Sequence, residues 1–320
     1  PMIVDQRILF DQFVGYEKLY FLGGSANWAN IRGIFQSNIE GLKIFEEGSY
    51  DDENRADVWG IDDYELFKES DEELKKLYDQ KKPFVAYIQT ASNHIPFTVP
   101  AEKDGFKPLL KEEVPKELLE KSGFKSLEQL NALRYLDFNV GKFIERAKAS
   151  KYYENTVFVF FGDHNTSMNQ TEKYTKEYDL NIQLQHVPLI IHAPKIVAPK
   201  EVKTYGNLID LFPTVMSLMK INHTNYTLGR NLVDASAFKK SSSFVYLRMN
   251  GEPAVGIIQD SLYYTKTLVT KTTSLYDLRT NTLEDISKKH PLKASQLDSL
   301  LMAYYHSTKY LYFNNKKLNK

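Results

Sequence analysis

Three short apolar runs govern what this chain can fold into. "PFVAYIQTAS" (83 to 92), "TVFVFFG" (156 to 162) and "VPLIIHAP" (187 to 194) carry almost no charge and stop abruptly at polar, Gly or Pro residues. Runs of this length without polar alternation suit strands covered on both faces. Between the first two lies "SLEQLNALRYLDFNVGKFIERAKAS" (126 to 150), where Leu127, Leu130, Leu133, Leu136, Val140, Phe143 and Ala147 recur every three or four residues. That period predicts a helix, and Ser126 with Gln129 fits a capping box at its start. Upstream, "EKLYFLGG" (17 to 24) reads as a strand running into a Gly pair, and "NWANIRGIF" opens a helix with Asn27 as its cap. "DDYELFKESDEELKKLYDQKK" and "GNLIDLFPTVMSLMKI" (206 to 221) supply further helices. Buried strands alternating with helices require crossover connections, so the expected class is α/β: a largely parallel central sheet flanked by helices.

The C-terminal quarter changes character. "SSFVYLRMN", "PAVGIIQD" and "LYYTKTLVT" are strand-like pieces joined by short turns, which predicts a smaller antiparallel sheet, and a last helix is expected near 291 to 311. The expected organisation is an α/β core over 1–238 and an antiparallel-sheet subdomain with a terminal helix over 239–320.

Composition removes several function classes. Lys plus Arg equals Asp plus Glu at 41 each, so no global field exists to hold nucleic acid. Cysteine is absent, so any metal must be held by oxygen and histidine nitrogen. No apolar run approaches the length of a membrane span, and "PMIVDQRILF" lacks the layout of a signal peptide.

The chemistry concentrates where strands end, the place at which α/β sheets bind ligands. In "FVFFGDHNTS" the strand stops at Gly162, and Asp163 and His164 follow. A carboxylate and an imidazole side by side can share one divalent cation, although a dipeptide alone more often marks a solvated turn. Two neighbours strengthen the metal reading. His94 follows the 83 to 92 strand, where an imidazole could donate to a phosphate oxygen or a leaving alkoxide. "FLGGSANWANIR" puts Gly24, Asn27, Trp28 and Arg32 beyond a third strand, with glycines that let backbone amides approach an oxyanion and an Arg suited to phosphate.

Taken in order, "GYEKLYFLGGSANWANIRGIF", "WGIDDYELFKES", "PFVAYIQTASNHIPF", "VFVFFGDHN", "LQHVPLIIHAP", "GNLIDLFPTVMSLMKI" and "LGRNLV" resemble the lipoteichoic acid synthase branch of the alkaline phosphatase and sulfatase superfamily. The resemblance covers about residues 15 to 235. It implies a phosphoglycerol transferase that moves a phospho-head group from a glycerophospholipid donor to a glycan or polymer acceptor on the extracytoplasmic face of a bacterial membrane. It also implies a divalent cofactor, Mn²⁺ first and Zn²⁺ or Mg²⁺ as alternatives, held by Asp163 and His164. His94 would be the catalytic contact to phosphate or leaving group, with Gly24, Asn27, Trp28 and Arg32 lining the substrate pocket. Ser25 stands where many relatives carry Asp.

The resemblance places a Thr nucleophile and an acidic ligand well upstream of the Gly pair, yet only 22 residues precede Gly23. The chain is therefore expected to be the C-terminal portion of the domain, inactive alone and tied to the membrane through an N-terminal segment it lacks. Two alternatives remain open: a phosphodiesterase or sulfatase of the same superfamily, and a non-catalytic module that binds anionic glycans or head groups.

Overall fold

The computed structural model describes residues 5–51, 54–234 and 241–317. The chain divides into two compact units, one of residues 2–158 and 166–172, the other of residues 159–165 and 173–320. The subdomain boundary expected at 238–239 lies outside the described residues.

In the first unit, β1 (Glu17–Leu22) is the middle of a parallel three-stranded sheet. It is flanked by β2 (Leu42–Phe45), reached through helix α1 (Ile31–Asn38), and by β5 (Phe84–Gln89). Leu19 pairs with Lys43 on one side and Ala86 on the other. β1 is the covered strand: Leu19 and Phe21 are fully buried, Tyr20 stacks on Tyr87 at 4.9 Å and Phe21 on Phe45 at 4.6 Å. The buried Lys18 is neutralised by Asp11 at 3.1 Å. β5, expected to be covered on both faces, is half-buried throughout because it stands at the edge of this sheet.

A short antiparallel hairpin, β3 (Arg55–Asp57) and β4 (Gly60–Ile61), precedes helix α2 (Asp63–Asp79). Asp62 caps α2 by accepting from Glu65 N at 3.1 Å, and Leu66, Phe67, Leu74 and Leu77 form its buried stripe. After the short surface helix α3 (Lys116–Lys121) comes α4 (Leu127–Lys148), whose Phe143 stacks on Phe67 at 4.8 Å. Ser126 Oγ accepts from Gln129 N as the capping box requires, but the Gln129 amide oxygen accepts from Lys125 N, one residue before the cap. The buried stripe of α4 also differs from the expected one. Ala132, Tyr135, Asn139, Phe143 and Ala147 face inward, whereas Leu133 is 43% exposed. Polar partners decide this face: Asn131 exchanges hydrogen bonds with the backbone of Leu109, and Gln129 Nε2 donates to Ser167 O at 3.2 Å.

In the second unit β6 (Phe158–Phe161) pairs with β7 (Leu189–His192). Leu189 and Ile190 of β7 are exposed, so this run is not covered on both faces as its composition predicts. Helix α5 (Thr175–Asp179) lies between these strands in the chain and α6 (Leu211–Leu218) follows them; a turn capped by Asn207 and Asp210 leads into α6, and buried Asp210 accepts from Arg230 N at 2.6 Å. The expected antiparallel sheet is a four-stranded meander of β8 (Ser242–Met249), β9 (Glu252–Gln259), β10 (Leu262–Thr267) and β11 (Thr273–Asp277). One face packs Val245, Leu247 and Tyr263 against Leu180 and Ile182. The other packs Val255, Ile257 and Leu275 against Leu297 and Leu301 of the terminal helix α7 (Pro291–Asn314). Among the described residues no helix is long and apolar enough to cross a membrane.

Candidate active site

The Gly pair after β1 has its first use in packing. A Cβ on Gly23 would lie 2.5 Å from Ile61 O, and one on Gly24 would lie 2.8 Å from Trp59 O. Gly60, at φ +91°, would place a Cβ 1.8 Å from Gly23 O. Three glycines thus let the β3–β4 hairpin lie backbone to backbone on the turn after β1, an approach that any side chain would block. The Gly23–Gly24 pair, whose backbone amides the sequence offers to an oxyanion, makes its close approach in the structure to this hairpin.

Beyond the turn, Ala29 and Asn30 occupy left-handed conformations at φ 47° and 57°. The expected Asn27 cap does not form, because Asn30 is the residue before α1 and the Asn27 amide oxygen instead accepts from Arg32 Nε at 3.3 Å. Arg32 also pairs with Glu46, just past β2, whose second oxygen accepts from Ala26 N at 2.7 Å. Glu46 was not read as a site residue from the sequence. Its position after β2 was the only available signal, since its partners lie 14 and 20 residues upstream. The guanidinium of Arg32 therefore braces this loop, while Trp28 stands 60% exposed at its tip.

His94 is exposed in the turn after β5, with its N–H donating to Ala91 O at 2.9 Å. Trp59 of the hairpin joins it to the Gly-pair loop. The indole meets the His94 ring edge-on at a centroid distance of 4.6 Å and meets Trp28 edge-on at 5.2 Å. Trp28, Trp59 and His94 thus form one aromatic row within this unit, with Asn27 and Arg32 on the same loop as Trp28.

Behind the His94 turn sits Asp63, first residue of α2. Its Oδ1 accepts from Ala91 N at 2.8 Å and Ser92 N at 3.1 Å, while Ser92 Oγ accepts from Asp63 N at 3.0 Å. Its Oδ2 is buried without a partner. Burial pushes the carboxyl up to about 6, against the lowering effect of the two backbone N–H groups, and nearby Asp62 adds to the rise. Burial and Asp62 also push the Tyr135 phenol well up.

In the second unit, Gly162 ends β6 and donates its N–H to Pro188 O at 3.4 Å. Asp163 and His164 follow, and both side chains are largely exposed. Asp163 Oδ1 accepts from His164 N at 2.8 Å, and its Oδ2 lies 3.8 Å from His164 Nε2. His164 Nδ1 faces Asn165 O at 3.0 Å, and Asn165 N is in turn tied to Leu184 O at 2.9 Å. Because a carbonyl only accepts, Nδ1 carries the proton in the neutral ring and Nε2 keeps its lone pair on the side of the carboxylate. A carboxylate oxygen and an imidazole nitrogen set this way fit two positions of a divalent-cation shell. Among the described residues no group of three or more His, Asp or Glu comes together to complete one.

The parallel sheet, its helices and the appended meander define an alkaline phosphatase or sulfatase-like fold. The solved lipoteichoic acid synthase LtaP from Listeria monocytogenes superposes with a TM-score of 0.75 at 21% identity, over 99% of this chain and 75% of that one. An alkaline phosphatase superfamily protein from Vibrio parahaemolyticus does so with a TM-score of 0.73 at 22% identity, over 97% of this chain and 70% of that one. The sulfatase family model matches residues 10–221, and the chain belongs to that family. Lipoteichoic acid synthase 1 of Bacillus subtilis is 30% identical over 273 residues, 81% of this chain and 39% of that protein. Lipoteichoic acid synthase of Staphylococcus saprophyticus is 27% identical over 231 residues, 69% of this chain and 33% of that protein. The chain thus spans about two fifths or less of the length of these two relatives.

Proposed function

We propose that this chain supplies the substrate pocket and two cation ligands of a phosphoglycerol transferase that works outside a bacterial cytoplasmic membrane. In the reaction, the phosphorus–oxygen bond to a glycerophospholipid donor breaks and one to a hydroxyl of a glycan or polymer acceptor forms; the acceptor's proton leaves and the donor's lipid alcohol gains one. As the imidazolium, with Nδ1–H directed to Ile95 O, His94 would give its Nε2 proton to the departing oxygen or use that N–H to hold a non-bridging oxygen. Trp28 would offer an apolar edge to the glycerol carbons. Asp163 and His164 would hold the divalent cation, Mn²⁺ first, through one carboxylate oxygen and the unprotonated Nε2. When bound, that cation neutralises phosphate charge and lowers the pKa of an attacking hydroxyl.

The observation that carries this reading is the paired setting of Asp163 and His164: Nδ1 is anchored to a backbone carbonyl and Nε2 lies 3.8 Å from the carboxylate. Family membership supports it at the level of reaction class. The test is transfer of a labelled glycerophosphate head group by the full-length protein. His94→Ala, Asp163→Ala and His164→Ala should each lower transfer by at least about a hundredfold, as expected for lost proton transfer or lost cation ligation. Full transfer with Asp163→Ala would refute the reading, and release of free glycerophosphate with no acceptor product would replace transferase by hydrolase.

A further inference from the structure

The segment "WGIDD" (59–63) takes no part in the proposed reaction itself, yet it touches the His94 turn from two sides. We propose that Trp59 and Asp63 are positioning residues that together fix the backbone and the tautomer of His94. The proposal rests on the assignment of His94 to the pocket.

Asp63 holds the start of the turn. One carboxylate oxygen accepts from both Ala91 N and Ser92 N, and the Ser92 hydroxyl accepts in return from Asp63 N. These bonds are buried or part-buried, so water does not compete freely for them. Trp59 holds the far end. Its Nε1–H donates to Ile95 O at 2.8 Å, and the same carbonyl faces His94 Nδ1 at 2.9 Å. A carbonyl oxygen has two lone pairs and no proton, so it can receive the indole N–H and the imidazole Nδ1–H together. It cannot donate to an unprotonated Nδ1. With Ile95 O held in place by the indole, the neutral His94 ring is kept as the Nδ1–H tautomer and Nε2 is turned outward. The edge-on ring contact at 4.6 Å restricts the remaining rotation of the imidazole.

Trp59 can do this only because its own backbone is fixed. Its carbonyl carbon and oxygen lie close over Gly24, and the next residue, Gly60, packs on Gly23. The Gly pair therefore acts on His94 through the hairpin: Gly23 and Gly24 seat Trp59, Trp59 seats Ile95 O, and Ile95 O sets the ring nitrogen.

The decisive experiment is a nitrogen-15 correlation spectrum of the histidine side chains in this chain at high pH, with His94 assigned by its loss in His94→Gln. The expected result is an Nδ1–H pattern for His94 in the parent chain. In Trp59→Phe, which keeps a ring but removes the donor, that pattern should give way to a mixture or to Nε2–H. In the full-length enzyme the same substitution should lower kcat about tenfold or more with KM little changed, the range seen when an outer-shell partner is lost. An Nε2–H pattern in the parent overturns the proposal, as does an unchanged pattern in a folded Trp59→Phe. Should Trp59→Phe not fold, the parent spectrum and Asp63→Ala decide: a folded Asp63→Ala with an unmoved His94 signal removes Asp63 from the role. Failure of the underlying pocket assignment is separable, since it would appear as unchanged glycerophosphate transfer in His94→Ala while the tautomer result stood.

Discussion

Replacing Asp63 by asparagine changes one atom of a side chain that the fold encloses. The charged form of Asp63 loses its hydration on folding and regains two backbone N–H donors on one oxygen only, while Oδ2 faces no partner. Asp62 and the neutral Tyr135 phenol face the same region, and neither offers a positive charge. Burial wins, and the carboxyl rises from 3.8 to about 6. Because the folded value lies above the unfolded one, the contribution of Asp63 to stability is fully present below about pH 4. It is lost as pH rises through about 6. At about 1.4 kcal/mol per pKa unit, that rise corresponds to about 3 kcal/mol. The amide introduced by Asp63→Asn cannot ionise, and it keeps an oxygen for Ala91 N and Ser92 N. The difference in unfolding free energy between Asp63→Asn and the parent should therefore shift by about 3 kcal/mol in favour of the variant between pH 4 and pH 7.5. Urea titrations of both proteins at half-unit pH steps would measure it, because titrations common to both cancel. A flat difference across that range would refute the reasoning. So would a shift toward the parent, which would mean that the amide donors and the α2 N-terminus favour the carboxylate more than burial opposes it.

Two further outcomes follow from the same unit. Gly60→Ala, with a Cβ 1.8 Å from Gly23 O and φ of +91°, should cost about 3 kcal/mol or more. Gly15→Ala, at φ +82° with nothing within 4 Å, should cost only about 1 kcal/mol; equal losses in thermal melts would contradict the close-packing account. Glu46→Ala strands the buried Ala26 N–H and should cost about 1–3 kcal/mol, whereas Glu46→Gln keeps an acceptor there and should cost about 1 kcal/mol or less, again read by melting.

Much of the architecture could be read before the structure, for identifiable reasons. Long periodic elements such as α4 and the apolar runs of β1, β5 and β6 announce themselves, because burial demands the same residue types wherever it occurs. The Asp163–His164 pair was visible because an acid and an imidazole at the end of an apolar run are chemically conspicuous. What stayed hidden depends on partners remote in sequence. The inward face of α4 carries Tyr135 and Asn139 in place of Leu133, a choice made by polar neighbours. The β3–β4 hairpin is too short to show a period, and β11 extends a meander that composition showed only as three pieces. Asn27 offered a cap by residue type, but Arg32 claimed its side chain. The exposure of Leu189 and Ile190 shows the converse limit, since an apolar run tells what a strand would bury and not what covers it.

The most direct test of the central claim is Mn²⁺ titration of this chain while the imidazole signals of its seven histidines are followed by nuclear magnetic resonance. The paramagnetic ion should broaden His164 before any other histidine, with weak affinity befitting two ligands, and Asp163→Ala should abolish the selectivity. Selective broadening elsewhere, or an unchanged titration in Asp163→Ala, would contradict the assignment of Asp163 and His164 as a cation-binding pair.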